Sequence, residues 1–154
     1  MTNPQFIIRS AGQADLSLLV SFNIAMAAET EGKMLDKETV TAGVNGLLSQ
    51  PQHGFYRVAE RNGQVVGALM VTSEWSDWRN GLFWWIQSVY VTPQARRQGV
   101  FRALYQAIND EARARGDIVG LRLYVEQDNH AAQRTYRELG MTRSHYLVFE
   151  TGAP

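Results

Sequence analysis

The densest group of residues able to do chemistry is a short turn rich in arginine. It reads Arg96, Arg97, Gln98, Gly99, Val100, Phe101 and Arg102. The first turn of a helix presents N–H groups without carbonyl partners and the positive end of the helix dipole, so it attracts anions. Gly99 would let the backbone approach a ligand closely, and the arginines add positive charge. This turn predicts a phosphate or diphosphate site, whereas an ordinary solvated helix start with scattered arginines is the alternative.

The charge pattern narrows the possible partners. No acidic residue occurs from Trp78 to Asn109, although the whole chain balances 15 basic against 15 acidic residues. A chain with zero net charge has no overall field to attract nucleic acid or an anionic membrane. We therefore expect neither partner, and a nucleic-acid-binding module built on the arginines is the weakest alternative.

A second pattern lies late in the chain, in Asn129-x-x-Ala132-x-x-x-Tyr136-x-x-Leu139-Gly140. Taken alone, Asn129 is a plain helix N-cap, and Tyr136 on an apolar helix face is more typical of a core tyrosine.

Both motifs, in this order, resemble those of the GCN5-related N-acetyltransferase (GNAT) family. The order and length of the predicted elements resemble the fold of that family over essentially the whole chain. Arg96-x-x-Gly99-x-Phe101 matches the acetyl-CoA signature R/Q-x-x-G-x-G/A. The resemblance implies acetyl-CoA as cofactor, with its diphosphate held by the turn amides from Arg97 to Arg102. Phe101 departs from the family pattern, so either its ring turns inward or the phosphate grip is altered.

The same resemblance assigns roles in acetyl transfer. Main-chain groups of Val89, Tyr90 and Val91 would bind the pantetheine arm, with an amide near Val89 or Val91 directed at the thioester carbonyl. Asn129 would contact the cofactor arm. Tyr136 would stand near the sulfur as general acid, since a phenol pKa near ~10 could match a departing thiolate.

The general base is open at this point. Many relatives carry a glutamate on the central strand where this chain has Gln87, whose amide cannot accept a proton at useful pH. The candidates for the general base are therefore Glu74 and Glu29. For each of them, a surface carboxylate without a catalytic role is the alternative.

All four tryptophans, Trp75, Trp78, Trp84 and Trp85, lie within eleven positions. Trp84 and Trp85 point to opposite faces of a strand, and we predict a structural role for both. Trp75 and Trp78 are predicted, together with Gln87, to line the site of an amine-bearing small molecule or peptide, because an indole face can hold a cation. A homodimer contact is the competing explanation for them.

The elements that must position these residues follow from periodicity and turn signals. Strands are predicted at Gln5–Arg9, Phe55–Arg61, Gln64–Thr72, Leu82–Val91, Val119–Val125 and Ser144–Glu150. Helices are predicted from Asp15, from Asp36 to Gln50, from Gln98 to Arg115 and from Asp128/Asn129 to Leu139, with Asp15 and Asp36 as N-caps. The order predicts a mixed sheet, and the resemblance implies an α/β (α+β) GNAT-like fold whose mixed, mostly antiparallel sheet is flanked by about four helices.

The remaining composition sets limits. At 154 residues and 45% hydrophobic, the chain has the size of one domain, 1–154. The absence of cysteine, the scattered histidines and the lack of a signal-like N-terminus predict no metal site and a cytoplasmic location. The function predicted is an acetyl-CoA-dependent N-acetyltransferase acting by direct transfer in a ternary complex. A non-catalytic acyl-CoA-binding or sensing domain is the alternative.

Overall fold

The structure, a computed structural model, describes residues 5–153 and contains five strands and four α-helices in that range. The elements are β1 (Ile7–Ser10), α1 (Leu16–Glu31), α2 (Lys37–Ser49), β2 (Phe55–Arg61), β3 (Gln64–Ser76), β4 (Gly81–Val91), α3 (Val100–Arg115), β5 (Ile118–Leu123) and α4 (His130–Glu138). The chain divides into two compact units, the first ending at Tyr124 and the second starting at Val125. The single domain 1–154 stays a prediction, and its first four residues and Pro154 lie outside the described range.

The first unit carries a five-stranded sheet with the order β1-β2-β3-β4-β5. Neighbouring strands are antiparallel except β4 and β5, which run parallel because α3 connects them. The hairpin between β2 and β3 turns at Asn62 and Gly63, with φ of 53° and 75°. Both values are those that a tight hairpin turn requires, which is why this dipeptide predicted it. The mixed, mostly antiparallel sheet with four helices is confirmed.

Each face of the sheet is covered by helices. On one face Leu104 and Ile108 of α3 are fully buried in a cluster with Trp84 and Ile86 of β4. On the other face α1 and α2 bury a second cluster that includes Leu19, Val44, Tyr56 and Tyr90. Successive strand residues alternate between these faces, so β4 contributes side chains to both clusters.

A glycine brings α3 close to the sheet. A Cβ at Gly67 of β3 would lie 2.7 Å from Cγ1 of Val100, the first residue of α3. The missing side chain therefore allows the helix start to sit directly against the strand.

Of the two predicted helix N-caps, one is confirmed and one is wrong. Asp36 caps α2 as predicted, since its Oδ2 accepts from Thr39 N at 3.0 Å. Asp15, predicted as the N-cap of α1, caps nothing at that helix through its side chain. Its carboxylate instead accepts from Gly12 N and from both terminal nitrogens of Arg9, at 2.8–2.9 Å. The buried aspartate therefore closes the turn between β1 and α1.

The second unit contains α4, which Asn129 caps by accepting from Ala132 N at 3.1 Å. The helix ends at Glu138, and Gly140, just beyond it, has a φ of 93°. The predicted strand Ser144–Glu150 is wrong, because no residue from 141 to 153 is part of a strand. A strand exists only through a neighbouring strand, and apolar alternation alone does not supply one. No helix within residues 5–153 has the length and apolar character needed to cross a membrane.

Candidate functional site

The arginine turn has the backbone of an anion-binding concavity. Arg97 and Gly99 adopt positive φ values of 63° and 86°, and alternation of this kind directs successive N–H groups toward one point. The first amide bonded across the start of α3 is that of Ala103, which donates to Gly99 O at 3.0 Å. The amides of Val100 and Arg102 therefore have no carbonyl of the preceding turn to donate to.

The space in front of this turn is open. A Cβ at Gly99 would meet no atom within 4 Å. Gly99 is thus required by its left-handed backbone and not by crowding inside the protein. The open side matches a close approach by a ligand.

The arginines of the turn divide into two kinds. The Arg96 side chain is partly exposed but bonded within the protein, since its Nε donates to Val91 O at 3.0 Å and its Nη2 donates to Glu29 Oε2 at 2.7 Å. Arg97 and Arg102 are exposed, and no ion pair within residues 5–153 involves either. Arg97 and Arg102 are therefore the arginines whose charge no carboxylate of the described residues offsets.

Gln98 and Phe101 complete the turn. The Gln98 side chain bonds to Arg61 and donates to Gln94 O at 2.9 Å, which ties the turn to the sheet and to the preceding loop. The Phe101 ring packs at the border of the α3 core cluster, 6.2 Å from the ring of Tyr105. Of the two alternatives for Phe101, the packing favours the inward ring.

Glu29 joins helix α1 to this turn. Its Oε1 accepts from the hydroxyl of Tyr90 at 3.1 Å while its Oε2 pairs with Arg96. Burial, followed by the nearby Glu29 carboxylate, raises the pKa of Tyr90. Both oxygens of Glu29 are therefore engaged in holding the end of β4 and the start of the turn.

Strand β4 carries a bulge that sequence reasoning missed. Ala68 pairs with Tyr90 and Met70 pairs with Gln87, so Leu69 faces two residues, Ser88 and Val89. Ser88 takes the strained positive φ of 50°. A bulge leaves the extra residue out of the ladder and re-aims its main-chain groups. The only signal in the sequence was the polar pair Gln87-Ser88 inside an apolar run.

A polar and aromatic patch lies on the same face of the sheet as α1 and α2, on the part of that face that these two helices do not cover. Cross-strand register puts Thr72 opposite Trp85, and Gln87 Nε2 donates to Thr72 Oγ1 at 2.6 Å. Trp85 Nε1 donates to Glu74 Oε1 at 2.8 Å, and Arg122 Nη1 donates to the same atom at 3.0 Å. The Trp85 ring stacks on Tyr124 at 4.6 Å. We call these residues (Thr72, Glu74, Trp85, Gln87, Arg122 and Tyr124) the open-face patch.

The tryptophans separate as the strand geometry requires. Trp84 is buried in the α3 cluster, and Trp85 points to the other face. Trp75 follows Glu74 on β3 and therefore points to the α3 side of the sheet, 60% exposed. Trp78 is 86% exposed in the turn between β3 and β4. The structure brings neither of them onto the open-face patch, where Trp85 lies instead.

In the second unit, Asn129 has the capping role that its sequence position predicted. Burial raises the pKa of Tyr136, and a phenol is in any case protonated at neutral pH. The cofactor and acid roles of these two residues stay predictions. Within residues 5–153, no three histidine, aspartate or glutamate side chains converge as metal ligands.

Comparison with known proteins points to one family. The model of the acetyltransferase (GNAT) family matches residues 22–141. A possible acetyltransferase from Clostridium difficile 630 is 43% identical, with a TM-score of 0.91, over 97% of this chain and 99% of its own. A predicted acetyltransferase from Clostridium acetobutylicum, solved with acetyl-CoA, shares 20% identity and the fold, with a TM-score of 0.77 over 95% and 96% of the two chains. No curated protein sequence matches. Since the family model spans most of the chain, including the arginine turn, this protein belongs to the GNAT family of acetyltransferases.

Proposed function

We propose that this protein is an acetyl-CoA-dependent N-acetyltransferase that moves an acetyl group directly to the amine of a small molecule or peptide. The observation that carries the proposal is the concave turn of main-chain donors at Arg97–Arg102, which directly follows the bulged strand β4. Diphosphate chemistry fits this turn, because it combines helix-start amides, an open approach over Gly99 and two exposed arginines. The GNAT structure with acetyl-CoA supports the same donor.

Acetyl-CoA is the acyl-donating substrate and supplies the thioester. In this proposal the amides of Arg97, Gln98, Gly99, Val100, Phe101 and Arg102 hold its diphosphate. Main-chain groups at Val89, Tyr90 and Val91, beside the bulge, hold its arm and polarise the thioester carbonyl. Hydrogen-bond donors fixed in place before reaction cost no reorganisation when charge develops.

The amine must lose a proton before it can attack, because an alkyl ammonium has a pKa of about 10.4. Of the two carboxylates predicted for this task, the contacts favour Glu74. It lies on the open-face patch, and within residues 5–153 only its Oε1 is bonded. Both oxygens of Glu29 hold Tyr90 and Arg96, so Glu29 fits a positioning role better.

Trp85 and Tyr124 supply an aromatic surface next to Glu74, and Gln87 adds an amide. An aromatic face beside a carboxylate suits a cationic amine. The acceptor we propose is therefore an amine that is protonated in solution, lying against this patch. Trp75 and Trp78 keep their predicted role only if the acceptor extends past the turn between β3 and β4.

Tyr136 remains our choice for the general acid. A phenol is protonated at neutral pH and can donate its proton to a departing thiolate. A cytoplasmic location, which the absence of cysteine favours, is part of the proposal.

The test is a thiol-release assay with purified protein, acetyl-CoA and a panel of primary amines. We expect release with at least one cationic amine and a large loss of release in Glu74→Gln. Gln87 in place of the expected glutamate keeps a second function open, a domain that binds acyl-CoA without catalysis. Tight binding of acetyl-CoA by calorimetry, without thiol release for any amine, would establish that second function instead.

A further inference from the structure

Arg61, the last residue of β2, reaches the arginine turn from a distant part of the chain. Its Nη1 donates to Oε1 of Gln98, a residue of that turn 37 positions away. Its guanidinium carbon also lies 5.5 Å from the centre of the Phe6 ring. A hydrogen bond and an aromatic ring together hold the guanidinium in a defined place beside the turn.

The backbone joins the hairpin that carries Arg61 to the chain that enters the turn. Arg61 pairs with Gln64 in the ladder between β2 and β3. At the start of β3, Val66 O accepts from Thr92 N at 2.9 Å, directly after the end of β4. Paired strands rather than a loop therefore set the position of Arg61 next to the turn.

Two arginines of β2 differ in how their charge is balanced. Arg57 is neutralised, because its Nε and Nη2 donate to the two carboxylate oxygens of Glu111, both at 2.8 Å. Arg61 is partly exposed, and among the described residues it pairs with no carboxylate. A guanidinium has five N–H donors, and the one acceptor given to Arg61 by these residues is the Gln98 oxygen. Arg61 therefore keeps both charge and hydrogen-bond donors beside the turn.

We propose that Arg61 is a further binding residue for acetyl-CoA and donates to one of its phosphate groups, which extends the site from the turn amides to the hairpin. Coenzyme A carries a 3′-phosphate on its ribose as well as the diphosphate. The planar fork of a guanidinium matches phosphate oxygens of either group. The inference rests on the diphosphate turn of the proposed function, since Gln98 of that turn places Arg61.

The test is isothermal titration calorimetry with coenzyme A on Arg61→Gln and its matched control, Arg57→Gln. Both variants make the same substitution in the same strand and change the net charge equally. In dilute salt, Arg61→Gln should bind coenzyme A roughly five- to thirtyfold more weakly than the wild type. Most of this difference should vanish at about 0.5 M salt, because salt screens partly exposed charges. Arg57→Gln should keep wild-type affinity, since Glu111 already offsets the charge that it removes.

A second ligand tells which phosphate Arg61 contacts. Dephospho-coenzyme A has the diphosphate and lacks the 3′-phosphate. If Arg61→Gln weakens the binding of coenzyme A alone, the contact is with the 3′-phosphate. If it weakens the binding of both ligands, the contact is with the diphosphate, and either result supports the proposal.

Three results would overturn the proposal and leave the proposed function standing. They are equal affinity of Arg61→Gln and the wild type for coenzyme A, an equal loss of affinity in Arg57→Gln, and a loss in Arg61→Gln that is the same at low and high salt. In the third case Arg61 acts only by shaping the turn through Gln98. If Arg61→Gln loses its native circular dichroism, Arg61→Met takes its place with the same expectations. A folded wild-type protein that binds no coenzyme A would instead remove the proposed function together with this inference.

Discussion

Gly99 offers the sharpest test of the diphosphate turn, because a second glycine, at the other end of α3, provides its control. Gly99 and Gly116 flank the two ends of this helix, with φ of 86° and 80°, and a Cβ at either would meet no atom within 4 Å. A side chain at either position therefore costs the same kind of backbone strain, about 1 kcal/mol, and no steric clash. The two substitutions should lower the free energy of unfolding by similar amounts.

The affinity for coenzyme A should distinguish substitutions at Gly99 from those at Gly116. We compare Gly99→Gln with Gly99→Glu, which have the same shape and differ by one negative charge. With the carboxylate about 6 Å from a diphosphate carrying two charges and an effective dielectric constant of about 40, Coulomb repulsion is about 3 kcal/mol. Gly99→Glu should therefore bind coenzyme A roughly a hundredfold more weakly than Gly99→Gln.

Isothermal titration calorimetry with coenzyme A measures this difference, and chemical denaturation measures the stability of each variant. Gly116→Glu, at the far end of the helix, should bind coenzyme A like the wild type. Equal affinities for Gly99→Gln and Gly99→Glu, or equal weakening by Gly116→Glu, would refute the assignment of the diphosphate to this turn.

Four further predictions test single residues. Tyr136→Phe should lower kcat in the thiol-release assay by at least tenfold and leave the Kd of acetyl-CoA unchanged; unchanged kcat at every pH would remove its acid role. Glu29→Gln should raise the KM for acetyl-CoA by about two- to fivefold, because the half-exposed ion pair with the turn is worth up to about 1 kcal/mol. Glu31→Gln should not raise it, since the cationic partner of Glu31 among the described residues is Lys33, outside the turn. Ser88→Gly should keep the melting temperature, since glycine accepts the positive φ, and Ser88→Val should lower it by several degrees; the reverse order in calorimetry would contradict the bulge. Asp15→Asn should reduce the free energy of unfolding by about 1–2 kcal/mol at pH 7; because hydrogen bonds from its arginine partner hold the pKa of Asp15 below 3.8, the wild-type advantage is full above that pH and must shrink below it.

Sequence reasoning predicted most of the fold because most of its elements have local causes. The Asn62-Gly63 turn, the Asp36 cap and Gly116 at the end of α3 each act within a few residues. The arginine turn was readable for the same reason, since a helix start that follows a strand is a local arrangement.

The two predictions that were wrong concern features that depend on distant parts of the chain. Asp15 stands at the N-cap position of α1, but its carboxylate binds Arg9 of another element, and this charged hydrogen bond outweighs a cap. The strand predicted at Ser144–Glu150 is wrong as well, since residues 141–153 are not part of a strand. Propensity describes a single segment and carries no information about its neighbour.

The sequence by itself therefore determined the order of the elements, the two motifs and the turn that is suited to a diphosphate, all of which follow from spacing along the chain. Only the tertiary structure decided that Glu29, 67 positions from Arg96, ties α1 to that turn, and that β4 is bulged at Ser88. It also decided that Glu74 shares the open-face patch with Trp85 and Arg122. Cross-strand register and long-range ion pairs set these features, and both arise only when distant segments pack together.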